Sequence, residues 1–228
     1  MRANKIPTKK IVYFAILLAL VVVLQFVGSY IKIGPVSISL VLVPIVLGGL
    51  LLGCAAGAAL GFSFGMITFI AGVAGLDPFT FALFQATPFM TFFICIVKAT
   101  AAGFFPALFY KLIAKKHPFV GAYVAAASAP IINTGIFILG SLMISKTLRE
   151  VVGLDESISM IYFLVVMCAG INFLVELGIN ILLAPAIYKI IQIVEGKVSK
   201  KKVASQSDDD IDEGNYEQED EREDSINE

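Results

Sequence analysis

One lysine stands inside an apolar run: Lys98 follows Phe92-Phe93-Ile94-Cys95-Ile96-Val97 in a stretch that begins at Pro88. In a helix rising 1.5 Å per residue it would lie about 15 Å deep, near the midplane of a bilayer whose core is about 30 Å thick. A charge at that depth costs several kcal/mol unless it is paired or faces water, which makes such a residue a functional candidate by default. A second polar feature lies in another apolar run, where Asn172, Glu176 and Asn180 recur every four residues. That spacing puts them on one helix face, as a stripe about 12 Å long. Asn133 and Thr134 sit midway along a third run, and Gln25 late in the first. Two chemistries fit these residues. Lys98 and Glu176 could form a buried ion pair that fixes helix register. Alternatively, Lys98 neutralises an acidic group on a ligand while Asn133, Asn172, Glu176 and Asn180 supply hydrogen bonds. Polar groups from three helices at similar depth favour the binding cavity. Phe79, Phe81, Phe84 and Phe89, just outside, would give it an apolar cover.

The elements that must position these residues are membrane helices. The chain is 58% hydrophobic and 15% charged, whereas soluble domains are roughly 25% charged. Much of that charge is also confined to one end. Twelve of the 18 acidic residues, and one of the 17 bases, fall from Asp208 onward. The near-neutral total therefore joins a basic body to an acidic tail. A span needs about 20 apolar residues. Ile11–Ile31 meets that length, and Val36–Ala74 is long enough for two spans with a tight turn near Gly53. Pro88–Ala114, Pro118–Ser145 and Ser159–Ile193 supply three more. Residues 75–90, broken by Gly75, Pro78 and Pro88, read as a loop carrying a short helix at the membrane surface, as a lid or pocket wall. The expectation is an all-α integral membrane protein of six transmembrane helices. Residues 1–10 form a basic cytoplasmic N-terminus, residues 11–193 the transmembrane domain and residues 194–228 a basic then acidic tail. No small-x-small cleavage site follows the first span, which reads as a retained helix.

Lysine and arginine set the orientation. Six spans put twelve bases on one side (from Arg2 to Lys10, Lys111 to Lys116 and Lys189 to Lys202) and only Lys32, Lys146 and Arg149 on the other. Both termini are therefore expected in the cytoplasm and the protein in the plasma membrane. The tail, nearly devoid of apolar residues, is expected to be disordered.

Other motifs speak to packing. Gly49, Gly53, Gly57, Gly61 and Gly65 recur every four residues, a spacing that lets a second backbone approach closely. Gly61-Phe62-Ser63-Phe64-Gly65 matches a nucleophile elbow, but it lies inside a span, and the one histidine, His117, lies in an inside loop. Cys54, Cys95 and Cys168 lack metal-ligand spacing and read as small packing residues. No phosphate-cradling G-x-x-x-x-G-K-[ST] loop is present, and the bases occur as short membrane-flanking clusters that give no sign of nucleic-acid binding. No cofactor is implied. Ala15 and Ala19 make a small-xxx-small pair on the first span.

That pair, the run Gly34-Pro35-Val36-Ser37-Ile38-Ser39-Leu40, and Val43-Pro44-Ile45-Val46-Leu47-Gly48-Gly49 leading to Leu52-Gly53 and Ala56-Gly57 together resemble a known family. It is the substrate-binding S components of energy-coupling factor (ECF) uptake transporters, and the resemblance covers roughly residues 8–193. It implies a protein that binds a vitamin or similar micronutrient near the outer face, in a pocket built from helices four to six and the loops after helices one, three and five. It further implies association with a membrane-embedded T component and two cytoplasmic ATPases, with Ala15 and Ala19 as the coupling contacts. ATP hydrolysis on the partners would topple the S component and deliver its substrate inward. The acidic tail has no counterpart in the family pattern. The expected function is capture of a water-soluble nutrient of the pantothenate, folate or riboflavin class, without catalysis. The alternatives are a self-sufficient proton-coupled carrier using Lys98 and Glu176, a hydrolase using Ser63, and a ligand-free membrane scaffold.

Overall fold

A computed structural model describes residues 8–194, except 31, 34–35 and 38–39, together with residue 196. The acidic tail, the basic residues before Thr8 and after Gly196, and most of the Gly34–Leu40 run lie outside the described residues. The chain divides into two units, Met1–Tyr188 and Lys189–Glu228. The second unit is described only through the closing turns of the last helix and Gly196.

Eight helices, with one minimal hairpin, make up the described fold. They are α1 (Thr8–Tyr30), α2 (Leu42–Leu52), α3 (Cys54–Val73), α4 (Pro78–Ala86), α5 (Pro88–Ile113), α6 (Pro118–Met143), α7 (Ser145–Val152) and α8 (Met160–Val194). Between α1 and α2, β1 (Lys32–Ile33) pairs antiparallel with β2 (Val36–Ser37), Lys32 opposite Ser37. The fold is that of an all-α membrane protein. Five helices, α1, α3, α5, α6 and α8, are long and apolar enough to cross a bilayer. The sixth expected span is shorter: α2 has 11 residues, about 16 Å of helix.

The break at Gly53 falls where the glycine spacing placed a turn. Its φ of 102° ends α2 and starts α3 without an intervening loop, a backbone conformation that side chains disfavour. Helix α4 starts by a different device. Asp77 caps it, Oδ1 accepting the N–H groups of Phe79 and Thr80 at 3.0 Å each, and Pro78 occupies the first turn, where no N–H is needed. Pro88 and Pro118 likewise open α5 and α6.

The glycine ladder meets α5 as well as α2. A Cβ built on Gly57 would strike the Gly103 carbonyl, one on Gly61 the Ala99 carbonyl, and one on Gly65 would stand 2.6 Å from the Cys95 carbonyl. Residue numbers rise on α3 as they fall on α5, so the helices run antiparallel, backbone against backbone. Gly49 extends the seam, its absent Cβ facing Ala107 at 3.0 Å. Leu17 of α1 packs over Gly48 of α2, and Leu17 and Val21 are buried.

Candidate functional site

At one end of the bundle α4, α5, α7 and the start of α8 close around an apolar cluster that includes Phe79, Leu83, Ile94, Leu148, Phe163 and Leu164. Phe79 is 3% exposed and its ring lies 5.5 Å from Phe137 of α6 and 6.3 Å from Phe163. It is a core residue of this cluster. Phe84 packs differently, edge-on to Phe69 of α3 at 6.0 Å, while Phe81 and Phe89 are exposed. Helix α7 is held on the cluster by Leu148, and the connection that follows it is pinned by Arg149, which donates to the carbonyls of Asp155 (2.6 Å) and Ile158 (2.9 Å). In that loop hydrogen bonds from Ser157, side chain first and then backbone, hold the Asp155 carboxyl below the usual carboxylate range, with the Arg149 charge assisting against slight desolvation.

Lys98 lies next to this aromatic group. Its Nζ stands over the ring of Phe137, 5.1 Å from the centroid, within the range of cation–π attraction. One turn along α6 from Phe137 is Asn133, 6% exposed. The polar stripe of α8 is real and faces inward: Glu176 and Asn180 are each 1% exposed, whereas Ile171, Leu174 and Leu182 on the same helix are exposed. Asn172 Nδ2 donates to Glu176 Oε1 at 3.2 Å, and Asn180 Nδ2 to the Glu176 backbone carbonyl at 2.8 Å.

The depth of these groups follows from helix register. Phe119 of α6 meets Tyr188 of α8 with ring centroids 5.4 Å apart, and at the other end Phe137 and Phe163 flank Phe79. Measured from the Phe119–Tyr188 pair, Asn133 stands about 21 Å along α6, while Glu176 and Asn172 stand about 18 and 24 Å along α8. Asn133 is therefore level with the stripe. Lys98, through Phe137, is about one turn further toward the apolar cluster. Three helices thus bring Lys98, Asn133, Asn172 and Glu176 to neighbouring levels, and Asn180 lies one turn beyond Glu176.

The remaining sequence motifs resolve simply. Ser63 Oγ donates to the Ala59 carbonyl one turn back in α3 (3.0 Å), a back-bond inside a helix rather than a strand-to-helix elbow. His117 is the exposed residue before α6. Among the described residues no group of three or more His, Cys, Asp or Glu is placed to hold a metal ion. Ala15 and Ala19 lie on the exposed side of α1, opposite the buried Leu17 and Val21.

The family model of the ECF transporter substrate-specific component matches residues 9–188, from the first turn of α1 through most of α8. The chain belongs to that family. As a substrate-specific component of an ECF transporter it is a multi-pass membrane protein with a role in substrate capture and transport. Comparison with curated proteins gave no match.

Sequence reasoning overlooked three features of this substrate-specific component. Phe137 could have been found, since it sits four residues from Asn133. Phe163 carried no local signal, being one apolar residue among many in its run. Nor did the π-helical segment Phe163–Gly170, which ends two residues before Asn172. An i→i+5 stretch winds extra backbone into the helix and so helps set which way the following stripe faces.

Proposed function

We propose that this chain is the substrate-capturing S component of an ATP-driven importer for a small water-soluble nutrient bearing an acidic group. The observation that carries this is Lys98. Its ammonium stands over the ring of Phe137 at 5.1 Å, about one helical turn from the level of Asn133, Asn172 and Glu176. An ammonium group so placed is positioned to meet an anionic group on a ligand. Nutrients of the pantothenate or folate class meet that requirement. A riboflavin-class ligand would instead lean on the phenylalanines. In this reading Lys98 neutralises the acid while Asn133, Asn172, Glu176 and Asn180 position the remainder of the ligand. Phe79 backs the site from the apolar cluster, and Phe84 holds α4 against α3.

The partners are a membrane-embedded T component and two cytoplasmic ATPases, since the chain carries no phosphate-binding loop of its own. The exposed Ala15 and Ala19 offer a small-residue face on α1 for the T component. The positive-inside bias supports cytoplasmic termini; an uptake role supports the plasma membrane, with residues 11–193 as the transmembrane domain and the tail on the ATPase side.

Reconstitution tests this directly. Liposomes containing the chain alone should bind radiolabelled nutrient without accumulating it, with or without a proton gradient. Adding the T component, ATPases and ATP should produce uptake. Proton-driven accumulation by the chain alone would replace this reading with a self-sufficient carrier using Lys98 and Glu176.

A further inference from the structure

Three amide oxygens at this site have no hydrogen-bond partner. Oδ1 of Asn133, Asn172 and Asn180 are all buried without a partner among the described residues. Leaving such an atom unpaired in an apolar interior costs about 1–3 kcal/mol, and native proteins keep few of them. Their orientation is fixed for two of the three. Asn172 points its nitrogen at Glu176 Oε1 and Asn180 points its nitrogen at a backbone carbonyl. Both targets accept hydrogen bonds, so the amide nitrogens must face them and the oxygens must face away. Register puts Asn133 on α6 level with Asn172 and Glu176, so unpartnered acceptors stand at one depth on two helices. What this row lacks is donors.

We propose that the captured solute supplies them: it is an acid whose other end carries N–H or O–H donors, received by the oxygens of Asn133, Asn172 and Asn180. This rests on the substrate-capture reading and narrows it. Lys98 takes the acidic group near Phe137, about one helical turn, ~6 Å, from the level of Asn133. The acceptor row then reads the donors. A solute with acid groups at both ends places a charge against acceptor oxygens and is rejected, because like partial charges meet and no hydrogen bond forms. An acid bearing an amide N–H and hydroxyls a few ångströms from its carboxylate satisfies both ends. Polarity alone would admit either solute; the direction of the dipoles admits one.

The test compares two acids, pantothenate (one carboxylate, an amide N–H and two hydroxyls) and adipate (a carboxylate at each end). Isothermal titration measures both on the purified chain and on the variants Asn133→Leu and Asn180→Leu. The expected result is pantothenate binding at least about 100-fold tighter than adipate, with each leucine weakening pantothenate by about 10- to 100-fold. Solute-free thermal midpoints should stay level or rise, since leucine removes an unpaired amide. Asn133→Gln, which keeps an amide oxygen there without adding a charge, guards against mere misfolding and should retain more of the affinity than the leucine. Equal binding of the two acids overturns the inference. So does a preference that survives both leucines, which would mean that water satisfies the oxygens. Binding of neither acid overturns it as well; the substrate-capture reading then stands if mass spectrometry finds another solute co-purifying, and falls if none does.

Discussion

Two seams of this bundle are built on opposite principles. Along α3 and α5 the backbones touch through Gly57, Gly61 and Gly65, and the carbonyls of Gly103, Ala99 and Cys95 fill the space a side chain would need. On α6 and α8 buried amides and a carboxylate stand at neighbouring levels, and among the described residues three of the amide oxygens have no partner. The first seam has no room left, and stability is what it supplies. The second gives up stability by keeping polar groups at a depth where apolar side chains would be less costly. In the proposed reading that contrast separates scaffold from site.

The largest effect should come from filling the glycine seam. Gly61→Val drives a branched side chain into the Ala99 carbonyl, where overpacking costs about 1–3 kcal/mol or more. The variant should express poorly or lose its monodisperse peak in detergent. Gly135→Ala, on α6, is the control, because nothing lies within 4 Å of the added methyl. It should leave the thermal midpoint level or raise it by an amount equivalent to up to about 1 kcal/mol. If both behave alike, the seam is not the scaffold. Next in size is Lys98→Met. Affinity for an acid-bearing nutrient should fall by about 10- to 100-fold, while the solute-free chain melts no lower, since a deep charge has been removed. Unchanged affinity would show that the lysine serves the fold alone. Phe137→Leu removes the ring under Lys98 and should cost about 0.5–2 kcal/mol of binding, seen by titration.

The smallest effect lies outside both seams, in the loop joining α7 to α8. Asp155 has its carboxyl pKa lowered in the fold, so its contribution is present at neutral pH and is lost as pH falls through that lowered value. Hydrogen exchange at residues 153–159, taken relative to the intrinsic rate at each pH, should quicken on acidification. In Asp155→Asn it should already be quick at neutral pH.

Much of this could be read from the chain. Composition and run length gave the membrane helices, and Gly53 gave the turn. The four-residue spacing of Gly57, Gly61 and Gly65 gave a close approach, because glycine leaves few other reasons for such a pattern. It did not say which helix approaches: the partner is α5, far along the chain, as well as the neighbouring α2. The Asn172–Glu176–Asn180 stripe was legible because polar residues are conspicuous in an apolar run. Its inward aim fits that cost of exposing them to lipid. The neighbour of Lys98 was not legible, because an aromatic ring carries no charge to announce a pairing. Phe79 was expected as a cover and stands instead in the core between Phe137 and Phe163, in a helix whose start is set by the Asp77 cap. The length of α2 also escaped notice, since an apolar run of that size does not mark where its first helix begins.

The claim on which everything else depends is that the deep polar groups hold a solute. Gentle purification of the chain without partners, followed by native mass spectrometry, tests it most directly. The expected result is one small water-soluble acid per chain, released when Lys98 is replaced by methionine. A chain that carries no bound solute, and gains none when incubated with the nutrient mixture, would contradict it.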